Sequence, residues 1–111
     1  MIRIAKPLIS SEEVEAVSKA LLSGQLASGK LVTEFEDSFS SYLGAKYAAA
    51  ACNGTAALHA ALLALGIGKG DMVITTPFSF IATSNAILYA GAAPAFADID
   101  EATFNITPES I

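Results

Sequence analysis

Apolar and polar residues alternate along the chain in blocks, and the spacing inside each block predicts an element. The first block follows Ser10-x-x-Glu13, a spacing typical of the capping box that begins a helix. Gly24 then supplies a stop signal. The pattern predicts a helix from Glu12 to Ser23.

A second helical block follows a loop at residues 24–30. Thr33-x-x-Glu36 has the spacing of another capping box, aromatic residues recur on one face, and Gly44 ends the pattern. We expect a helix between these points, so that residues 1–45 form a helical amino-terminal arm.

Beyond this arm, short apolar runs alternate with longer ones. The runs at residues 46–52, 72–77 and 94–99 predict buried strands. The blocks between them predict helices over Thr55–Leu65 and Ser79–Ala90. The composition of the first run suits a strand or a helix, and its short length favours a strand.

The order strand-helix-strand-helix-strand predicts an α/β fold, with a partial, mostly parallel sheet flanked by helices. Thr107-Pro108-Glu109 predicts the start of a further helix, with proline in its first turn. Three strands make a thin sheet with open edges. We therefore expect residues 1–111 to be an incomplete piece of a larger α/β protein, in which residues 46–111 form the strand-and-helix part.

The apolar fraction and the net charge of the chain limit the kinds of partner that it can bind. Of the 111 residues, 53% are apolar and only 15% are charged, which excludes a disordered chain. A chain with so few charged residues must leave apolar residues at its surface, and we expect this surface to be buried against more chain or a partner subunit. The net charge of −5 disfavours nucleic acid and anionic membranes as partners, because both require a basic face.

The single cysteine, Cys52, permits no disulfide within the chain and favours a reducing compartment. The first ten residues lack the apolar core of a signal peptide. The long uncharged stretch at residues 72–97 is too interrupted by polar residues, Pro and Gly to predict a membrane helix. These features predict a cytoplasmic protein without a membrane partner.

The corner Asn53-Gly54-Thr55 is the strongest candidate site. It lies between a predicted strand and a predicted helix, where free N–H groups and the helix dipole favour an anion. Gly54 allows close approach of a ligand and Thr55 adds a hydroxyl, a combination that suits a phosphate. The competing interpretation is a plain helix N-cap, in which Asn53 or Thr55 satisfies the first turn.

The remaining candidates are weaker. The loop at residues 66–71 follows a helix and precedes a strand, the reverse of a dinucleotide-binding loop, so a tight turn is favoured. Phe78 and Phe80 follow a predicted strand, where a ring could stack on a flat cofactor or pack in the core.

Three further groups have ordinary explanations. His59 has no partner at ligand spacing, so we expect no metal site and a packed or partly exposed helix residue. The acidic run at residues 98–101 could hold a cation, although solvated turn residues are commoner. Ser28-Gly29 could contact a ligand or form only a turn.

Two segments together resemble a known family: "GQLASGKLVTEFEDSF", and "NGTAALHAALLALGIGKGDMVITTPFSFIATSNAILYAGAAPAFADIDEATFNITPESI". They are similar to the DegT/DnrJ/EryC1/StrS family of pyridoxal-phosphate-dependent aminotransferases, which act on keto sugars linked to nucleotides. The resemblance covers nearly the whole chain. It implies the amino-terminal part of the large domain of a fold-type-I PLP aminotransferase, built as a homodimer with active sites at the subunit interface.

The resemblance also implies roles for individual residues. The segment Gly54-Thr55-Ala56 would hold the phosphate of pyridoxal 5'-phosphate, and Phe80 would stack on its pyridine ring. The loop with Ser28-Gly29 would line the side that takes the nucleotide-sugar substrate.

The family's Schiff-base lysine and the acidic partner of the pyridine nitrogen cannot be located in this chain. None of the five lysines lies in the family's lysine motif: Lys6, Lys19, Lys30, Lys46 and Lys69. We therefore expect no catalytic residue, no activity and no stably held cofactor in the chain alone. The alternatives are a non-catalytic binding or regulatory module of this family, a fragment of a PLP-family sugar dehydratase, and a nucleotide-binding α/β domain without PLP.

Overall fold

The structure, a computed structural model, describes residues 5–111. The chain divides into two compact units, the first ending at Ala49 and the second running from Ala50 to Ile111. The first unit holds α1 (Ser11–Leu22) and α2 (Lys30–Leu43). The second unit holds α3 (Gly54–Ala64), β1 (Met72–Thr75), α4 (Ala82–Tyr89), β2 (Ala93–Phe96) and a short 3-10 helix (Pro108–Ser110).

Helix α1 begins at the capping box that the sequence predicted. The Ser10 N–H donates to the Glu13 carboxylate at 2.6 Å, and the Glu12 N–H donates to the Ser10 hydroxyl at 3.2 Å. Hydrogen bonds from the Ser10 side chain and backbone hold the pKa of Glu13 below its ordinary value. The predicted helix is confirmed to within one residue at each end.

Helix α2 begins three residues before the predicted capping box, which is therefore wrong. The N–H groups of Val32 and Thr33 donate to the carbonyl of Gly29 at 3.0 and 3.1 Å, so the backbone is helical from Lys30. The Thr33 hydroxyl donates back to that carbonyl at 3.5 Å instead of capping a helix end. Gly44 ends α2 in the left-handed conformation at φ 65°, as predicted.

The strand predicted at residues 46–52 is wrong. These residues form neither a strand nor a helix, and Tyr47 is 78% exposed. A strand requires a ladder of hydrogen bonds to a neighbour, and among residues 5–111 the sheet consists of β1 and β2. The run is also mostly alanine, which has little intrinsic preference for a strand.

The second unit is built on a parallel pair joined by a helix. β1 and β2 pair in parallel from Met72 opposite Ala93 to Thr75 opposite Phe96, and α4 makes the connection. Parallel neighbours require such a crossover, which confirms the predicted α/β class, with two strands in place of three. The small core consists of Thr75 and five apolar residues, Ala86, Ile87, Ala90, Ala92 and Ala97.

The end of the chain forms one turn of 3-10 helix where a helix start was predicted. The Thr107 N–H donates to the Ser110 hydroxyl at 3.1 Å, and that hydroxyl donates to the Thr107 carbonyl at 2.9 Å. No helix within the described residues is long and apolar enough to cross a bilayer.

Much apolar surface stays exposed. The chain exposes 9116 Å², whereas a compact monomer of this length exposes about 5,800 Å² and two separately compact units about 7,000 Å². The difference includes one apolar face of α1, where Val14, Val17 and Leu21 are each more than half exposed.

Candidate functional site

At the corner Asn53-Gly54-Thr55, the residue that caps α3 differs from the residues that are free to bind a ligand. Asn53 is the extended N-cap residue, and its side-chain oxygen accepts the Ala56 N–H at 2.9 Å. Its carbonyl accepts the Ala57 N–H at 3.1 Å, which is the first regular helical bond. The first N–H groups of a helix have no intrahelical acceptor. Those of Gly54 and Thr55 are therefore available to an anion, while Asn53 caps the helix.

Gly54 has no local requirement for glycine. Its φ lies outside the left-handed region, and a Cβ built there would meet no atom within 4 Å. The backbone is thus open to solvent on the side where a side chain would stand, next to two N–H groups. This bare corner fits a phosphate that approaches the main chain closely.

An open cavity of about 620 Å³ lies against this corner. The first turn of α3 forms one side, and the end of the β1–α4 loop with the start of α4 forms the other. It is lined by Gly54, Thr55, Ala57, Leu58, Phe80, Ala82 and Thr83. The structure therefore brings together three of the residues predicted from sequence: Gly54, Thr55 and Phe80.

Phe80 is presented to solvent at this cavity. Its side chain is 78% exposed, so the core-packing interpretation is wrong for it. Phe78 is also exposed, and its ring stacks on that of Phe104, with centroids 5.6 Å apart and planes at 23°. Phe78 thus attaches the loop to the 98–106 segment, whereas Phe80 has a face free for a planar ligand.

Ala56 lies at a second cavity, of about 420 Å³, with Asn53, Thr55, His59 and Tyr89. Its N–H is engaged by Asn53, so in this conformation it does not contribute a free donor beside those of Gly54 and Thr55. The His59 ring meets the Tyr89 ring edge-on at 5.9 Å, which agrees with a packed helix residue.

Ser28 and Gly29 belong to the first unit. They line a cavity of about 360 Å³ formed by residues 24–30, and Gly29 is the N-cap residue of α2. These residues therefore form a loop before α2 that lines a cavity, which is compatible with a ligand contact as well as with a plain turn.

The loop at residues 66–71 is a tight turn. The Asp71 carboxylate accepts the Gly68 N–H at 2.8 Å, and the Asp71 N–H donates to the Gly68 carbonyl at 3.1 Å. Gly70 has φ 100°, which favours glycine. The hydrogen bonds of Asp71 are thus made within the loop, and the tight turn favoured by the sequence is confirmed.

The acidic run at residues 98–101 also serves a turn. The Asp100 carboxylate accepts the Thr103 hydroxyl and N–H at 2.9 Å each and the Ala102 N–H at 3.2 Å. The hydrogen bonds from Thr103 hold the pKa of Asp100 below its ordinary value. No cluster of three or more metal-ligating side chains occurs within residues 5–111.

Sequence reasoning missed Thr83, which lines the cavity beside Phe80. Its hydroxyl lies 3.0 Å from that of Ser79. The signal was present as two hydroxyl residues four positions apart at a helix start, a spacing that brings side chains together.

Comparisons with known proteins show which proteins the chain is similar to. The chain is 52% identical over 102 residues to spore coat polysaccharide biosynthesis protein SpsC of Bacillus subtilis, covering 92% of the chain and 26% of that protein. It is 42% identical over 106 residues to GDP-perosamine synthase of Caulobacter vibrioides, covering 95% and 29%. It superposes on NtdA of Bacillus subtilis, solved with bound cofactor PMP, with a TM-score of 0.84 at 40% identity, covering 93% and 25%.

The fold is that of the aminotransferases with a pyridoxal-type cofactor. The profile of the DegT/DnrJ/EryC1/StrS aminotransferase family matches residues 7–111, and the chain belongs to this family. The resemblance seen in the sequence and the predicted fold class are both confirmed. The chain spans about a quarter of the length of these relatives.

Proposed function

We propose that the chain is the amino-terminal segment of the large domain of a pyridoxal-phosphate-dependent aminotransferase. The substrates would be a nucleotide-linked keto sugar and an amino donor, in polysaccharide or cell-surface sugar biosynthesis in the cytoplasm. The observation that carries the proposal is the open cavity, which is lined by Gly54 and Thr55, with their free N–H groups, on one side and by the exposed Phe80 on the other. The names of SpsC and GDP-perosamine synthase support a sugar substrate.

Three residues of the cavity, Gly54, Thr55 and Phe80, would bind the cofactor. The N–H groups of Gly54 and Thr55, the Thr55 hydroxyl and the positive end of α3 would hold the phosphate. Phe80 would cover one face of the pyridine ring. Pyridoxal phosphate, once bound, supplies an electron sink for charge that develops on the substrate carbon.

This cavity binds and orients but moves no proton. None of its lining residues has an ionisable side chain. A base and the Schiff-base lysine must therefore come from the rest of a full-length enzyme, and the chain alone is inactive in this proposal. Ser28 and Gly29 would contact the sugar nucleotide, and the complete enzyme would be a homodimer.

The test compares a full-length protein that carries residues 1–111 with those residues alone. The full-length protein should keep a visible cofactor band after desalting and transfer an amino group to a nucleotide-linked keto sugar. Residues 1–111 alone should do neither. A full-length protein that binds no pyridoxal phosphate would contradict the proposal, and one that binds it but only removes water from the sugar would indicate the dehydratase alternative.

Phe80 can be tested in the same full-length protein. Phe80→Leu keeps an apolar side chain but removes the ring, so the cofactor should dissociate more readily. The loss should be roughly 2- to 10-fold in affinity, because ring stacking contributes about 0.5–1.5 kcal/mol beyond area burial. Absorbance titration measures it, and Phe35→Leu on α2 is the matched control. An unchanged affinity would remove Phe80 from the site.

A further inference from the structure

The β1–α4 loop presents Phe80 without burying it. The loop covers residues 76–81, and the exposed Phe80 ring lies at its carboxyl end. Other residues must therefore fix the direction of the Phe80 ring, because a freely moving ring would lose conformational entropy each time it ordered over a ligand.

Bonds within the loop and to α4 hold this segment. At the start of the loop, the Phe78 N–H donates to the Thr76 hydroxyl at 3.0 Å. At its end, the Thr83 N–H donates to the Phe80 carbonyl at 3.1 Å, and the hydroxyls of Thr83 and Ser79 lie 3.0 Å apart. Thr83 is thus bonded both to the carbonyl of Phe80 and to the hydroxyl of Ser79, the residue before it.

Helix α4 begins without a side-chain cap. Its N-cap residue is Ile81, which makes no side-chain capping bond. A helix start normally obtains such a bond from Ser, Thr, Asp or Asn. The Ser79–Thr83 hydroxyl bond joins the loop to the first turn of α4 in its place.

We infer that Thr83 is a positioning residue that holds Phe80 over the cavity through its bonds to the Phe80 carbonyl and the Ser79 hydroxyl. Threonine suits this task because its β-branched side chain is restricted about χ1, which limits the directions that the hydroxyl can take. The value of this position for cofactor binding rests on the proposed function, in which Phe80 stacks on the ring.

Amide hydrogen exchange across residues 78–81 tests the inference in a full-length protein that carries this chain. Thr83→Val removes the hydroxyl and keeps the shape, and exchange should become about 2- to 10-fold faster, the range for loss of one hydrogen bond. Thr83→Ser should restore the slower rate. Ser79→Ala should match Thr83→Val, and the double variant should add nothing, because both changes break the same bond.

The control is Ser18→Ala, which breaks a hydroxyl bond of 2.7 Å to the Val14 carbonyl on α1 and should leave the loop unchanged. Exchange in β2 serves as an internal reference for unfolding. Unchanged exchange at residues 78–81 in Thr83→Val, or failure of Thr83→Ser to restore it, would overturn the inference.

Cofactor affinity separates this inference from the proposed function. If both hold, Thr83→Val weakens pyridoxal phosphate binding and Phe80→Leu weakens it at least as much. If the loop loosens in Thr83→Val but Phe80→Leu leaves the affinity unchanged, the positioning role stands and the stacking role of Phe80 fails.

Discussion

At the scale of single residues, the structure assigns helix capping to Asn53 and leaves Gly54 free for a ligand, two roles that the sequence alone could not separate. Asn53 caps α3 with both its side chain and its carbonyl. Gly54 occupies a position where neither φ nor a neighbouring atom requires glycine. The cap therefore leaves room for an anion at this corner, because Asn53 engages the N–H groups of Ala56 and Ala57 and leaves those of Gly54 and Thr55 accessible.

Gly54→Ala should lower the affinity for the cofactor without lowering the stability of α3. A Cβ there meets nothing in the chain, so the helix should be unchanged or more stable by up to about 1 kcal/mol, since alanine favours a helix. The same Cβ would stand where the proposed phosphate approaches, and pyridoxal phosphate should bind roughly tenfold more weakly, which corresponds to about 1.4 kcal/mol.

The measurements are absorbance titration for affinity and amide exchange at α3 for stability, both in the full-length protein. Gly68→Ala is the matched control, because its Cβ would make only an ordinary contact of 3.7 Å with the Ala90 carbonyl. Equal affinities of Gly54→Ala and the unaltered protein would argue against a phosphate at this corner.

At the scale of elements, the sequence predicts helices well where the signal is local. The capping box at Ser10 and the stop at Gly44 both lie where the pattern indicated. The start of α2 is misplaced because Thr33 has the right spacing for a cap, yet the backbone at Gly29 begins the helix earlier. The strand at residues 46–52 fails because pairing depends on a neighbour that local composition does not specify.

The site shows the same division. The corner at Gly54 and the ring of Phe80 follow from residue type and order. Their common cavity depends on the packing of α3 and α4, which no single segment encodes. The bond between Thr83 and Ser79 is local, and its signal lies in the spacing of the two hydroxyl residues.

The turn at Asp100 gives a prediction about pH. The hydrogen bonds from Thr103 stabilise the ionised carboxylate and lower its pKa from 3.8. A lowered pKa adds stability to the turn above pH 3.8, and this stability is lost as the pH falls through the lowered value. Thr103→Val should raise the pKa of Asp100 towards 3.8, because it removes one of the donors.

The carboxyl carbon shift of Asp100, followed by NMR during an acid titration, measures this pKa. Thr33→Val is the control, because its hydroxyl bond lies within the first unit, between Thr33 and Gly29. A pKa of Asp100 that is the same in Thr103→Val and the unaltered protein would show that the hydroxyl contributes nothing to the turn.

At the scale of the whole molecule, the exposed apolar surface is the dominant feature. The high apolar fraction predicted that such surface would exist. It could not predict the partner, because helical periodicity identifies an apolar face but not what covers that face. The apolar residues of α1 are such a face, and they remain exposed in the chain.

Residues 1–111 alone should self-associate. The exposed area exceeds that of a compact monomer, and apolar patches of this kind drive association. Light scattering should show a mass that rises with concentration, and Val17→Glu with Leu21→Glu should reduce it. The full-length protein should instead give one discrete dimer. A stable monomer of residues 1–111 at high concentration would contradict this prediction.

The same exposed surface has a consequence for synthesis on the ribosome. On the proposed placement, this segment emerges first, and the remaining three quarters of an enzyme of its relatives' length follow at about 5–20 residues per second. The apolar face of α1 and the open edges of the two-stranded sheet would then remain exposed to solvent for tens of seconds, until the segments that cover them are synthesised. We expect the nascent chain to be held by chaperones during this interval, and the yield of enzyme to depend on translation speed after residue 111.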